Sequence, residues 1–202
     1  YALYVTGHSL GGALATICGV YAAADDTMVP KGIASKVVVY SIASPYCGNW
    51  KFRQVHYELE RQGRLQHLRI ANQEDMVTLL PFAAPKATFL SPALAAVRGG
   101  GGNLYKHVGM QLKLHASDKQ GVQHKLSYPK EHDCEDEKDY RRELGHTLQS
   151  GKYLLQAVCR LLKTDFATVE KHHSCDEYER RLEAVRDHLN SKTLDDLYES
   201  PA

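Results

Sequence analysis

Residues 4–15 read YVTGHSLGGALA, an apolar run leading into a glycine-flanked serine and small residues leading out. Gly7-His8-Ser9-Leu10-Gly11 fits the pattern G-x-S-x-G, which presents a nucleophilic serine when a strand precedes it and a helix follows. Both conditions are met by the local composition. The glycines have physical work in such a turn. It holds its serine in a strained conformation, and neighbours without side chains let the helix approach the strand closely. Gly12 and Ala13 extend that contact. Ser9 then stands at a helix N-terminus, where unpaired N–H groups and the helix dipole favour an oxyanion, and the N–H of Leu10 is the expected donor. His8 is adjacent in sequence, but a sharp turn aims neighbouring side chains apart, so it reads as a buried structural histidine.

Working outward, residues 1–6 form a short apolar strand, and Leu10 to Ala24 are so uniformly apolar or small that the helix is expected to be buried on all sides. KVVVYSI at 36–42 is rich in β-branched residues and too short for a typical helix, hence a second strand. Trp50 to Arg61 is a helix, Leu65 to Ala71 a third strand ended by Asn72-Gln73-Glu74-Asp75, and Tyr105 to His115 a fourth. Gly99 to Gly102 is flexible by composition. Residues 116–143 are polar and heavily charged, Leu148 to Leu162 is apolar at helical spacing, and Tyr178, Leu182, Val185 and Leu189 make one stripe behind a Ser174/Glu177 capping box. Strands alternating with helices imply a mostly parallel sheet flanked by helices, an α/β fold whose chemistry collects at the carboxyl ends of the strands.

The 202 residues carry 25 basic and 24 acidic side chains, a net charge of +1, which gives no global field for nucleic acid. No apolar run is long enough to span a bilayer. The five cysteines, at 18, 47, 134, 159 and 175, have neither disulfide-framework nor zinc spacing. Their odd number leans toward reduced thiols and a cytoplasmic setting. Tyr1-Ala2-Leu3-Tyr4-Val5 reads as the middle of a strand, so the chain is expected to be the C-terminal part of something longer. The N-terminal strands, and with them a second oxyanion donor, would then lie upstream.

Three stretches, YVTGHSLGGALA, VVVYSIASPYCGNWKF and LRIANQEDMVTLLP, together resemble the core of the class 3 lipases, the fungal lipase-like α/β-hydrolases. The resemblance runs from residue 3 to about 82, weakens through YKHVGMQLKL and is absent from about 116 onward. Ala43 departs from it, because the family usually has glycine before Ser-Pro. The resemblance implies the C-terminal part of an α/β-hydrolase fold over residues 1–163, with 164–202 as a charged helical extension. It also implies a hydrolase for carboxylic esters of lipids, acylglycerols or their relatives, at a lipid–water interface and without cofactor or metal.

Such a serine needs a base, and the base needs a carboxylate, in the chain order Ser, Asp, His. Asp75 lies just past the third strand and fills the aspartate of the family's N-x-x-D-x-V-x-x-L-P. Eight histidines follow it. His107 sits at the start of the fourth strand, the wrong end for the active face. The family places its histidine after that strand, opening a helix that carries a tyrosine. GHTLQSGKYLLQAV matches best, with His146 opening the segment and Tyr153 following, and His132 is second. The expected triad is therefore Ser9, Asp75 and His146. Acyl transfer to another alcohol shares the same first half, so a transacylase stays open. So does a non-catalytic interaction module, which a missing histidine beside Ser9 would favour.

Overall fold

β-Branched residues at 36–42 form a strand that holds a neighbour on each side. A computed structural model describes residues 1–28, 36–80, 107–117, 121–127, 166–190 and 193. Within them the order is β1 (Ala2–His8), α1 (Leu10–Ala24), β2 (Lys36–Ile42), α2 (Trp50–Arg61), β3 (Leu65–Asn72), β4 (Met110–Ser117), β5 (Gly121–Ser127), α3 (Phe166–His173) and α4 (Cys175–Leu189). The five strands form one sheet in sequence order. β1 to β4 are parallel, with Val5 opposite Val39, Val39 opposite His67 and Ile70 opposite Leu112. β5 returns antiparallel to β4, with Leu112 opposite Leu126.

Strand alternation sorts the core into two layers. Val37, Val39 and Leu65 pack with Ala15, Val20, Ala22 and Ala23 of α1 and Leu59 of α2. Leu68, Ile70, Met110, Leu112 and Leu114 face the other way and pack on Tyr178 and Val185 of α4. Helices therefore cover both faces of a mostly parallel sheet, as the sequence pattern implies. The segment beyond residue 163, expected as a charged extension, contributes two core side chains through α4. Ser174 caps that helix, accepting from the Glu177 N–H at 3.2 Å.

Three expectations change. α1 is not buried all round: Leu10, Leu14 and Tyr21 are exposed among the described residues, because β1 is the terminal strand of the described sheet. β4 starts at Met110, since Gly109 takes φ +79° and the missing Cβ leaves room for the His67 ring. β5 lies inside the stretch read only as polar and heavily charged. It is an edge strand with one half-buried face, Val122, His124 and Leu126, and polar residues between, so its apolar signal is weak. The expected Leu148–Leu162 helix and Gly99–Gly102 lie outside the described residues.

A chain of buried polar groups runs between the sheet and α2. Ser41 Oγ lies 2.8 Å from His67 Nε2, His67 Nδ1 3.0 Å from His56 Nε2, and His56 Nδ1 3.3 Å from a Glu60 oxygen. Burial, then the nearby His56 and Arg69, hold the His67 imidazole well below the usual 6.5. Burial does the same to His107, whose Nε2 donates to the Thr78 carbonyl at 2.8 Å. In the unfolded chain both histidines take up protons near 6.5, whereas the fold keeps them neutral. Stability from these two groups is therefore complete above that pH and is lost as acid is added. Denaturant titrations are expected to show stability falling from neutral pH toward pH ~5, with His67 contributing up to about 1.4 kcal/mol per pH unit. His67→Asn, whatever its absolute stability, should fall less steeply. An unchanged slope would show that His67 is not the source.

Candidate active site

The turn between β1 and α1 is built by backbone constraints. Ser9 has φ +58° and ψ −126°, a conformation that strains any residue with a Cβ. It is held there because its N–H donates to the Ile42 carbonyl at 2.9 Å while its own carbonyl accepts from Gly12 and Ala13. A Cβ on Gly7 would lie 2.1 Å from the Gly11 carbonyl oxygen, and one on Gly12 would lie 3.0 Å from the Gly7 oxygen and from Ser44 Cβ. These two glycines set the strand–helix approach. Gly11 does not, since a Cβ there meets no described atom within 4 Å. Ser9 occupies the N-cap of α1, yet its hydroxyl makes no capping bond. Leu10 is the first helical residue, so its N–H has no intrahelical acceptor.

The Ser9 hydroxyl meets a histidine instead. Ser9 Oγ lies 2.7 Å from His173 Nε2, and His173 Nδ1 lies 2.9 Å from Asp75 Oδ2. The carboxylate can only accept, so Nδ1 carries the proton and Nε2 accepts the Ser9 hydroxyl. The Asp75 side chain is fully buried and His173 is 19% exposed. Two further donors hold the acid: Tyr178 Oη at 2.8 Å to Oδ2, and the Val77 N–H at 2.9 Å to Oδ1. Tyr178 also accepts from the Asn72 N–H at 2.9 Å. Burial, then the Asp75 charge, push the phenol well above its ordinary range, so Tyr178 stays a donor. Val77–Leu79 form a 3-10 turn after β3, and Thr78 Oγ1 donates to the Asp75 carbonyl at 2.8 Å.

His173 is the last residue of α3, one position before the Ser174 cap of α4. Its carbonyl accepts from His8 Nε2 at 2.8 Å, and the two imidazoles are tilted with centroids 4.9 Å apart. Burial is the main cause that lowers the His8 pKa. His8 thus steadies the backbone of His173, the residue whose ring meets Ser9.

Of the residues expected from sequence, Ser9, Asp75 and the Leu10 N–H stand at the carboxyl ends of β1 and β3 as the parallel-sheet rule places them. His146 and His132 lie outside the described residues, and the position between Ser9 and Asp75 is held by His173. Two sequence signals pointed to it: a capping box at Ser174, marking a helix start directly after His173, and Tyr178 in the following helix. His107 stacks on Tyr46 at 3.9 Å between centroids and bonds the Thr78 carbonyl, a packed position. No group of three or more potential metal ligands occurs among the described residues.

Residues 1–84 match the family described as lipase (class 3). Phospholipase A(1) DAD1, chloroplastic, of Arabidopsis thaliana is 42% identical over 77 residues, which is 38% of this chain and 15% of that protein. Phospholipase A1-Igamma1, chloroplastic, of the same plant is 35% identical over 114 residues, 54% of this chain and 21% of that protein. The chain thus spans about a fifth or less of the length of these relatives. Among solved structures, the lipase from Rhizopus microsporus var. chinensis aligns at 26% identity over 63% of this chain and 36% of its own, TM-score 0.41. Lipase II from Rhizopus niveus aligns at 24% identity over 66% and 41%, TM-score 0.42.

The turn makes a paired test. Gly7→Ala forces a Cβ against backbone that cannot yield, and is expected to cost at least about 3 kcal/mol or abolish folding. Gly11→Ala places a methyl in open space on a helix and is expected to be neutral or to stabilise by about 0.5–1 kcal/mol. Urea denaturation of the two variants checks this. Equal losses would mean that the close approach at Gly7 is not what shapes the turn.

Proposed function

We propose that this chain, of class 3 lipase type over residues 1–84, carries the reacting groups of a serine hydrolase for lipid carboxylic esters. The observation that carries the reading is the continuous contact Ser9 Oγ to His173 Nε2 to His173 Nδ1 to Asp75 Oδ2, at 2.7 and 2.9 Å.

In this reading Ser9 Oγ attacks the acyl carbonyl as His173 Nε2 removes its proton. Asp75 steadies the resulting imidazolium through Nδ1–H without taking the proton. Negative charge on the former carbonyl oxygen falls toward the Leu10 N–H, at the positive end of α1. His173 then returns the proton to the leaving alkoxide, and water repeats the sequence on the acyl-Ser9 ester. No step calls for a metal or cofactor. The relatives named phospholipase A1 support a glycerophospholipid acyl ester as substrate alongside the acylglycerol expected from the family. A purely non-catalytic module fits less well, because a histidine does stand beside Ser9 with its acid in place.

A fluorophosphonate probe should label Ser9 alone. Ser9→Ala should abolish labelling and lower ester hydrolysis on the order of a million-fold. His173→Ala should lower it by a similar order, since triad members act as a unit. Persistent labelling of the Ser9 variant would sink the reading, and an inactive His146→Ala beside an active His173→Ala would return the base to His146. Hydrolysis of phosphatidylcholine against triacylglycerol in mixed micelles then decides the ester class.

A further inference from the structure

Arg181 of α4 carries a guanidinium with no solvent exposure at all. A buried cation survives only if its donors are satisfied, and the partners it has reached are informative. Nη1 donates to Glu74 Oε2 at 2.6 Å and approaches the Leu114 carbonyl of β4 at 3.5 Å. Nε donates to Glu177 Oε1 at 2.7 Å, one helical turn back on α4. Nη2 lies 3.2 Å from His172 Nδ1. A guanidinium has no acceptor, so His172 Nδ1 accepts, and that ring keeps its proton on Nε2. Glu74 immediately precedes Asp75, and His172 immediately precedes His173. One planar group therefore grips the residue before the acid and the residue before the base, from a third element that carries neither. Asn72 adds a second tie to the same junction, its Nδ2 donating to the His172 carbonyl at 3.0 Å.

We propose that Arg181 is a positioning residue that holds the Asp75 turn and the α3–α4 junction at the spacing required for the Ser9–His173–Asp75 contact. The proposal rests on the serine-hydrolase reading for its kinetic consequence, but not for its geometric one. A helix-anchoring ion pair alone would need Glu177 or the sheet; it would not need both neighbours of the relay. Lysine keeps the charge but offers one compact ammonium, which cannot span partners arranged around a planar fork. Misplacement of a reacting group by an ångström costs on the order of 100-fold in rate.

The test compares Arg181→Lys with Glu74→Gln in the purified protein, alongside urea unfolding. Hydrolysis of a soluble p-nitrophenyl ester gives kcat and KM. Proton NMR reads the downfield resonance of the His173 Nδ1–H held by Asp75, assigned by its loss in His173→Gln. Folded Arg181→Lys is expected to lose about 10- to 100-fold in kcat with little change in KM, and its resonance to shift or broaden. Glu74→Gln should move both readouts in the same direction by less. Variants that keep wild-type kcat and an unmoved resonance, however much stability they lose, would overturn the proposal. Should Arg181→Lys fail to fold, Glu74→Gln decides by the same criteria, since the Glu74 side chain is 33% exposed and its loss is the milder change. Should the wild type neither hydrolyse esters nor react with the fluorophosphonate, the hydrolase reading fails by itself. The resonance alone then decides: moved, it supports Arg181 as the positioning group; unmoved, it overturns it.

Discussion

A carboxylate with no exposed surface sits where β3 ends, and the surrounding structure is arranged to satisfy it. Burying the Asp75 charge would be prohibitive without donors. It receives three, from the Val77 N–H, the Tyr178 hydroxyl and His173 Nδ1. The first is local and shapes the 3-10 turn. The other two come from α4 and from the end of α3, about a hundred residues away in sequence, and they draw those helices onto the sheet. Tyr178 does double duty, because its ring fills the layer against Leu68 and Ile70 while its hydroxyl also takes the Asn72 N–H. The site and the second core layer are thus one piece of packing.

Positive φ angles mark two strand ends. Ser9 ends β1 at +58° and Ala43 ends β2 at +54°. Each N–H continues the ladder onto the next strand, Ser9 to the Ile42 carbonyl at 2.9 Å and Ala43 to the Ile70 carbonyl at 3.0 Å. At Ala43 the left-handed conformation favours glycine, and keeping a Cβ costs on the order of 1 kcal/mol. At Ser9 the cost has a return in geometry. The hydroxyl makes no capping bond and meets His173 instead, while the Leu10 N–H has no intrahelical acceptor.

The histidine that meets Ser9 stands at a helix end, beside a junction. His173 closes α3, one residue before the Ser174 cap of α4, and its placement is over-determined. His8 holds its carbonyl, Asn72 and Arg181 hold His172, and Ser174 starts the next helix. A residue so held loses little freedom when it bonds Ser9 and Asp75, which is the physical content of preorganisation.

The positions of Ser9, Asp75 and the Leu10 N–H at the strand ends were legible in the sequence because they are set locally. A strand, a tight turn and a helix, or a strand end followed by a turn, are encoded within a dozen residues. The parallel sheet followed from β-branched runs alternating with helices for the same reason. His173 was not legible in that way: its partners lie 164 and 98 residues distant, and eight histidines followed Asp75. The Ser174 cap and Tyr178 mark the helix that follows His173, but GHTLQSGKY offered another histidine ahead of a tyrosine. β5 stayed hidden because an edge strand with one wet face carries little apolar pattern. The sequence by itself determined the Ser9 turn, the place of Asp75 past β3 and the parallel sheet, through short-range backbone geometry. Only the tertiary structure decided which histidine meets Ser9 and Asp75 among the described residues, and that Arg181 is buried behind it, because hydrogen bonds between distant segments exist only after the chain has packed.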